Sequence, residues 1–283
     1  MRENKRVTVV GAGTMGGQIA YQAALYGYDV NLVSRRQERL ASARDECSEL
    51  LRRRVQKGKL DAEDCESAIG RVVLSTELSV MGGSSVIIES VAEDRLTKRE
   101  VFEKISRYAD HDAIIGTNSS TLASSFFETY ISNPKRFLNI HFFNPPMVMQ
   151  LVEVVCGDHT STDSVNRAMS FTRDIGKTPV LVKKETYGFI ANRILFMALQ
   201  EAMQLVQDGY TSIEDCDIAV RNGLGWPMGP FTLADLVGLD VVYAILAEGH
   251  AQTGDDRWAP LEILREHVAR GELGRKTGKG FTV

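Results

Sequence analysis

The sequence predicts an α/β domain with a doubly wound, mostly parallel sheet, followed by an all-α C-terminal domain. Short β-branched runs alternate with segments of helical periodicity up to residue 184, and this alternation is typical of a parallel sheet with helices on both faces. Beyond that point there is no further strand pattern, and apolar residues recur with a period of about 3.6 residues. We therefore predict one domain at 1–185 and a second at 186–283.

The elements of the first domain follow from these short runs. Strands that are buried on both faces are nearly continuous in Val, Ile and Leu. The predicted strands cover 6–10, 29–33, 71–75, 86–90, 113–117, 137–143, 151–155 and 179–182. The predicted helices occupy a segment that stops at Gly27, then 35–57, 61–69, 95–109, 121–131 and 161–175. An Asn-Pro-Pro turn at 144–146 separates the sixth and seventh strands.

The second domain begins with an amphipathic helix. Its apolar positions run from Ile190 to Val206, and Gly209 ends it. Thr211-x-x-Glu214 matches a capping box that would start the next helix. Two or three more helices are expected to complete the chain. The apolar face of the first helix would suit a homodimer, but it could equally pack inside the monomer.

Composition excludes several functional classes. The chain has 283 residues, of which 43% are hydrophobic and 25% charged, with a net charge of −4. These values are ordinary for a globular protein and predict no affinity for nucleic acid or membrane. The four cysteines are scattered without a CxxC or Cys/His cluster, so we expect reduced thiols, no metal site and a cytoplasmic protein.

A glycine-rich turn after the first strand predicts a dinucleotide site. Gly11-x-Gly13-Thr14-Met15-Gly16 follows a strand and opens a helix. In a Rossmann-like fold the first glycine permits the turn, the second admits the pyrophosphate, and the third allows close packing of helix and strand. The helix N-terminus offers N–H groups to the phosphates. The alternative is a glycine turn with a purely structural role.

The end of the second strand bears on the choice of cofactor. The stretch DVNLVSRR places Ser34, Arg35 and Arg36 where NAD-binding folds have a carboxylate for the ribose. Ser34 removes a charge that would repel a 2′-phosphate, and an arginine can pair with that phosphate. This pattern favours NADP(H) over NAD(H). The arginines could instead belong to a solvated helix start, although the helix dipole disfavours cations there.

A histidine and a glutamate flank the Asn-Pro-Pro turn. His141 lies in NIHFFNPP and Glu153 in LVEVV, so a hairpin-like reversal would bring the two side chains together. A histidine held by a buried carboxylate is a general acid/base unit. Ser120 and Asn144 add polar groups at the carboxyl ends of strands, where open α/β sheets bind ligands. Taken alone, a histidine in such a strand is more often a hydrogen-bonded core residue than a catalytic one.

Several motifs together resemble a known enzyme family. GAGTMG, Asn118-Ser119-Ser120, HFFNPP, LVEVV, YGFIANR, GLGWPMGP and LGRKTGKGF occur in that order and span nearly the whole chain, residues 6–281. They resemble the L-3-hydroxyacyl-CoA dehydrogenase family, and within it the short-chain, 3-hydroxybutyryl-CoA members. Ser34 departs from the family pattern, because NAD-using members have an aspartate at that position.

The resemblance implies roles for the polar residues already singled out. It makes His141 the general acid/base and Glu153 its partner. It implies that Asn144 orients the histidine and the substrate, and that Ser120 bonds the 3-oxygen of the substrate.

The resemblance also implies ligand contacts elsewhere. Glu93 and Lys98 match positions on the nicotinamide side of the cofactor, and Lys276 matches another cofactor-contacting lysine. Asn192 matches a polar residue that faces the active site. Lys57 matches a lysine at the CoA end of the substrate, although it could equally be a solvated helix end.

The implied reaction is reversible hydride transfer between NADP(H) and C3 of an acyl-CoA substrate, a 3-hydroxyacyl-CoA or 3-oxoacyl-CoA. The family commonly forms dimers through its helical domain. One alternative is a related dehydrogenase that acts on an acyl-carrier-protein thioester or on a sugar acid such as gulonate. Another is a non-catalytic nucleotide-binding protein, which the loss of His141 or Glu153 would favour; both residues are present.

Overall fold

The computed structural model describes residues 5–283, and its first part is a single eight-stranded sheet with flanking helices. The strands are β1 (Arg6–Val10), β2 (Asp29–Val33), β3 (Val72–Ser75), β4 (Val86–Glu89), β5 (Ile114–Thr117), β6 (Phe137–Phe142), β7 (Leu151–Val155) and β8 (Thr178–Val182). The helices between them are α1 (Thr14–Leu25), α2 (Gln37–Gln56), α3 (Ala62–Gly70), α4 (Arg95–Tyr108) and α5 (Thr162–Asp174). Each predicted strand is therefore present.

The order of the strands confirms the predicted doubly wound sheet. It is β3-β2-β1-β4-β5-β6-β7-β8, so the chain works outward in both directions from β1. Neighbouring strands are parallel except at the β6–β7 pair, which is antiparallel. The carboxyl ends of β1, β2, β4, β5 and β6 consequently lie at one edge of the sheet, which we call the carboxyl edge. Ligands bind at this edge in open α/β folds.

Apolar clusters cover both faces of the sheet. On one face α1 packs with Ile19, Ala20 and Ala23 fully buried. On the other face Phe102 of α4 packs against Phe137 with ring centroids 4.9 Å apart. Burial on both faces explains why the central strands are apolar throughout rather than alternating.

The described residues fall into two compact units, one that ends at Thr186 and one that covers Tyr187–Val283. The second unit contains the helices α6 (Ala191–Gln207), α7 (Ile213–Leu224), α8 (Pro230–Val237), α9 (Leu239–Thr253) and α10 (Glu262–Ala269). Its core is built around the fully buried Trp258, which meets the Tyr187 ring edge-on at 4.8 Å. The predicted all-α organisation of this segment is confirmed, with three helices after α7.

Two local predictions were wrong. The segment 121–131 is not an α-helix but contains two 3-10 turns, Ser124–Phe126 and Glu128–Tyr130. Side chains take the N–H groups that a helix would use: Asn139 accepts from Ser124 N and Glu185 from Ser125 N. The N-cap of α7 is Ser212 rather than Thr211, because Ser212 Oγ accepts from Asp215 N at 3.0 Å.

Among residues 5–283 no single helix is long and apolar enough to cross a membrane, and one strongly bent pair, α8 with α9, passes on length and composition alone. Within the same range no group of three or more His, Cys, Asp or Glu side chains is arranged to hold a metal ion.

The turn between β1 and α1 depends on two of its three glycines for packing. Gly11 has a φ of 118°, and a Cβ there would lie 2.2 Å from the backbone oxygen of Ser90. At Gly16 a Cβ would lie 1.8 Å from the backbone oxygen of Gly11. Neither position tolerates a side chain without movement of the backbone. Gly13 differs, since no atom lies within 4 Å of a Cβ placed there.

We predict that alanine lowers stability much more at Gly16 than at Gly13. Gly16→Ala should lower the free energy of unfolding by about 2 kcal/mol or more, because overpacking against backbone cannot relax through a rotamer change. Gly13→Ala should change it by less than about 0.5 kcal/mol, since its φ of −82° suits alanine and the space is open. Urea denaturation of both variants measures the difference. Equal stability of the two proteins would contradict this account of the turn.

Candidate active site

The glycine turn leaves a cradle at the start of α1 that fits a pyrophosphate. Gly13 is exposed at the N-cap of α1 and has no side chain to cap the helix. The first N–H groups of a helix have no partner within the helix and carry partial positive charge. Thr14 is exposed and Met15 half-buried at this same end. The open space at Gly13 therefore suits close approach of a phosphate to the backbone.

Ser34, Arg35 and Arg36 form the connection between β2 and α2. The second strand ends at Val33 and α2 begins at Gln37, so both arginines precede the helix instead of starting it as predicted. The backbone N–H of Ser34 donates to Ser75 O at 3.1 Å, which anchors the connection to the end of β3. Ser34 is half-buried, whereas Arg35 and Arg36 are exposed at the carboxyl edge.

The two guanidinium groups differ from several others nearby in having no anionic partner. Arg44, Arg52 and Arg53 of α2 each lie within 4.0 Å of a carboxylate. Arg35 and Arg36 make no ion pair with any residue in the range 5–283 that the structure describes. Their guanidinium groups therefore face solvent at the carboxyl edge.

Ser120, His141 and Glu153 form a hydrogen-bonded chain. His141 lies opposite Glu153 in the antiparallel β6–β7 pairing. The Nδ1 atom of His141 is 2.9 Å from Glu153 Oε2, and its Nε2 atom is 2.9 Å from Ser120 Oγ. Both His141 and Glu153 are buried. The sequence prediction that a reversal at 144–146 brings the two side chains together agrees with this geometry.

The partners of His141 determine which ring nitrogen carries the proton. A carboxylate only accepts hydrogen bonds, so Nδ1 donates to Glu153. In the neutral imidazole Nε2 is then the acceptor, and the Ser120 hydroxyl donates to it. The basic nitrogen of His141 thus faces Ser120, while the Glu153 carboxylate stabilises a positive charge on the ring. This arrangement can take and return a proton at Nε2.

A second polar network adjoins this chain and joins two carboxylates to one lysine. The ammonium of Lys98 lies 2.7 Å from Glu89 Oε1, 2.9 Å from Glu89 Oε2 and 3.2 Å from Glu93 Oε2. Glu89 and Lys98 are at most 1% exposed. Glu93 reaches the loop that carries Ser120, because its Oε1 accepts from the backbone N–H groups of Ser120 and Thr121 at 3.2 Å.

Electrostatics in this network favours ionised Glu93. Burial raises the pKa of Glu93. The Lys98 ammonium and a short hydrogen bond from the Ser119 hydroxyl lower the pKa by more than burial raises it, so the pKa of Glu93 lies below its ordinary value. The carboxylate therefore remains charged across the neutral range and keeps its four donors from residues 119–121.

Sequence reasoning missed three residues that support the site. Glu89 was assigned only to a strand, Asn118 was part of a family motif but was given no role, and Asn139 was not singled out. Asn118 Oδ1 accepts from Phe142 N at 2.9 Å, which ties β5 to the end of β6 beside His141. The amide of Asn139 donates to the backbone oxygens of Ser119 and Leu122. Polar residues inside otherwise apolar strands were the available signal.

The remaining predicted residues lie in different places. Asn144 is exposed just beyond β6, and its peptide bond to Pro145 is cis. Lys57 is exposed at the C-cap of α2. In the second unit Asn192 lies in the first turn of α6, and Lys276 pairs with the carboxylate of Asp240. The ligand contacts expected for Glu93, Lys98, Lys57, Asn192 and Lys276, and the orienting role of Asn144, stay predictions.

The loop that carries Lys276 is anchored by a buried aspartate of the second unit. Asp235 of α8 is 1% exposed and accepts from Phe281 N at 2.9 Å and Thr282 N at 2.7 Å. Gly274 and Gly280 pack so closely on this residue that a Cβ at either would collide with it. The LGRKTGKGF segment therefore has a defined structure around Lys276.

Comparisons with known proteins agree along the whole chain. Residues 6–186 match the family model described as 3-hydroxyacyl-CoA dehydrogenase, NAD binding domain, and residues 188–283 match the corresponding C-terminal domain. A probable 3-hydroxybutyryl-CoA dehydrogenase of Deinococcus radiodurans is 36% identical over 96% of this chain and 98% of its own length. The mitochondrial hydroxyacyl-coenzyme A dehydrogenase of Homo sapiens is 36% identical over 98% of this chain and 90% of its own.

A solved structure gives the same result at the level of the fold. The crystal structure of (S)-3-hydroxybutyryl-CoA dehydrogenase from Ralstonia eutropha superposes with a TM-score of 0.94 at 33% identity, and 98% of each chain is covered. The family models, the relatives and this structure all extend over both units. The chain therefore belongs to the 3-hydroxyacyl-CoA dehydrogenase family.

Proposed function

We propose that this protein catalyses reversible hydride transfer between NADP(H) and C3 of a short-chain (S)-3-hydroxyacyl-CoA or 3-oxoacyl-CoA. The observation that carries the proposal is the Ser120–His141–Glu153 chain at the carboxyl edge of a sheet that also presents the glycine turn. Membership of the 3-hydroxyacyl-CoA dehydrogenase family supports the reaction class, and relatives named 3-hydroxybutyryl-CoA dehydrogenase support the short acyl chain.

The proton in this reaction is handled by His141. The bound nicotinamide cofactor supplies or accepts the hydride. In the oxidation direction Nε2 of His141 takes the proton of the C3 hydroxyl, and Glu153 stabilises the imidazolium that forms. In the reduction direction the imidazolium returns that proton to the oxygen at C3. Ser120, within 2.9 Å of Nε2, can donate a hydrogen bond to the same oxygen while charge develops on it.

The preference for NADP(H) rests on the connection after β2. A 2′-phosphate at this position would meet Ser34 and two exposed guanidinium groups instead of a carboxylate. One charge-assisted hydrogen bond contributes roughly 1.5–3 kcal/mol, which corresponds to about tenfold to a hundredfold in affinity. If NADPH is the cofactor in the cell, reduction of acetoacetyl-CoA is the physiological direction that we expect.

Further features of the proposal concern the acyl-CoA and the assembly. Lys57 is proposed to contact the CoA end of the substrate, and Asn192 to face the active site. A homodimer through the second unit is proposed because α6 presents apolar side chains to solvent; Ile194, for example, is 62% exposed.

The proposed cytoplasmic location rests on four free thiols: Cys47, Cys65, Cys156 and Cys216.

Replacement of His141 by alanine should abolish most turnover. We expect kcat with acetoacetyl-CoA to fall by about a thousandfold, the usual contribution of a general acid/base, while the dissociation constant for NADPH changes little. Stopped-flow absorbance and cofactor fluorescence measure the two quantities. His250→Ala, at a half-exposed histidine of α9, is the matched control and should retain full activity. Turnover of His141→Ala within tenfold of the wild type would rule out the proposed role.

Replacement of Ser34 by aspartate should reverse the cofactor preference. The wild-type protein should show a kcat/KM about tenfold or more higher with NADPH than with NADH. In Ser34→Asp the new carboxylate repels the 2′-phosphate and accepts from the ribose hydroxyls, so NADPH efficiency falls and NADH efficiency rises. The control is Arg52→Gln, which makes the same change in net charge on α2, far from the connection that carries Ser34. Equal or better use of NADH by the wild type would refute the assignment.

A further inference from the structure

Glu89 is a buried carboxylate outside the proton-transfer chain. It is the last residue of β4, is fully buried, and lies between β1 and β5 in the middle of the sheet. Its Oε1 accepts from Val91 N and from the Lys98 ammonium, both at 2.7 Å. Its Oε2 accepts from Thr117 Oγ1 at 2.6 Å and again from Lys98 at 2.9 Å. Isolated buried charges are costly, and three donor groups that make four hydrogen bonds compensate the charge of Glu89.

Two connections lead from Glu89 to the loop that carries Ser120. The first passes through Lys98, whose ammonium also forms an ion pair with Glu93, and Glu93 holds the loop at the N–H groups of Ser120 and Thr121. The second passes through Thr117, whose Oγ1 also accepts from Ser119 N at 3.3 Å. Both connections end within one residue of the hydroxyl that faces His141.

The charges in this network show why Glu89 matters for the loop. The Lys98 ammonium donates two hydrogen bonds to Glu89 and forms an ion pair with Glu93 at 3.2 Å. Without the carboxylate of Glu89, this buried ammonium would have only Glu93 as an anionic partner among the described residues. A stronger pull from Lys98 on Glu93 would then compete with the hydrogen bonds that hold Glu93 on the loop.

We propose that Glu89 is a positioning residue of the active site: by holding Lys98 it keeps Glu93 on the Ser119–Thr121 loop and so sets the distance from Ser120 Oγ to His141 Nε2. Glu89 touches neither His141 nor Ser120. The consequence for turnover rests on the proposed function, whereas the consequence for the loop does not. A displacement of about 1 Å in such a group can cost a hundredfold in rate.

Hydrogen exchange of the loop tests the inference without reference to any substrate. In Glu89→Gln the backbone amides of Ser120 and Thr121 should exchange at least about tenfold faster than in the wild type, because their acceptor is no longer held. Mass spectrometry of the peptide that covers 118–122 measures this. Glu100→Gln, an exposed position on the same helix as Lys98, is the matched control. Unchanged exchange in a folded Glu89→Gln protein would overturn the inference.

Steady-state kinetics with acetoacetyl-CoA provides the second test. In Glu89→Gln we expect kcat to fall about tenfold or more, with the KM for acetoacetyl-CoA changed less than about twofold. Because Glu89 acts through Lys98, Glu89→Gln should cause little further loss in a Lys98→Met background. Losses that multiply in the double variant would show that Glu89 acts independently of Lys98 and would contradict the proposal.

A Glu89→Gln protein that does not fold and a wild type without activity have different consequences for the proposal. If Glu89→Gln does not fold, the double variant Glu89→Gln/Lys98→Met replaces it, since it removes both buried charges together and leaves the direct hydrogen bond from Ser119 N to Thr117 in place. Faster exchange at Ser120 and Thr121 then supports the proposal, and unchanged exchange refutes it. If the wild type turns over no 3-oxoacyl-CoA, the proposed function fails. The exchange experiment then still decides whether Glu89 positions the loop.

Discussion

The antiparallel step between β6 and β7 is the constraint on which the active site depends. Strands β1 to β6 all run in one direction, so their carboxyl ends lie together at the carboxyl edge. At β6–β7 the chain reverses, and the reversal sets His141 directly opposite Glu153. Side chains opposite each other in an antiparallel pair have Cβ atoms about 4.5–5.5 Å apart, close enough for an imidazole and a carboxylate to share a hydrogen bond. A parallel crossover would have needed an intervening helix and a different register.

The same sheet encloses two carboxylates that are stabilised in different ways. Glu153 is buried beside an imidazole, which can gain a proton during the reaction and thus changes its charge. Glu89 is buried beside an ammonium and two neutral donors, whose charges do not change. Breaking a buried pair is costly because it leaves a charge without compensation. The first arrangement therefore suits proton transfer and the second suits a fixed support.

Sequence reasoning succeeded where local pattern and tertiary structure agree. Apolar strands buried on both faces, the glycine turn and the His141–Glu153 spacing each depend on residues close together in the chain. It failed where the deciding partner is distant in sequence. Glu89 is held by Thr117, 28 residues away. Residues 121–131 lack an α-helix because Asn139 and Glu185 take the N–H groups of Ser124 and Ser125. No periodicity within the segment encodes those partners, and tertiary contacts override local propensity.

The residues proposed to select the cofactor and those proposed to move the proton differ in their burial. The guanidinium groups of Arg35 and Arg36 are exposed and make no ion pair among the described residues, so substitutions there should have little effect on packing. His141 and Glu153 are buried and paired, so a change at either disturbs both the chemistry and the sheet. Under the proposed function, substitution of the β2–α2 connection would therefore change the preferred dinucleotide and leave the reaction unchanged. The same difference in burial would let a serine stand at position 34 in a chain that keeps the buried His141–Glu153 pair.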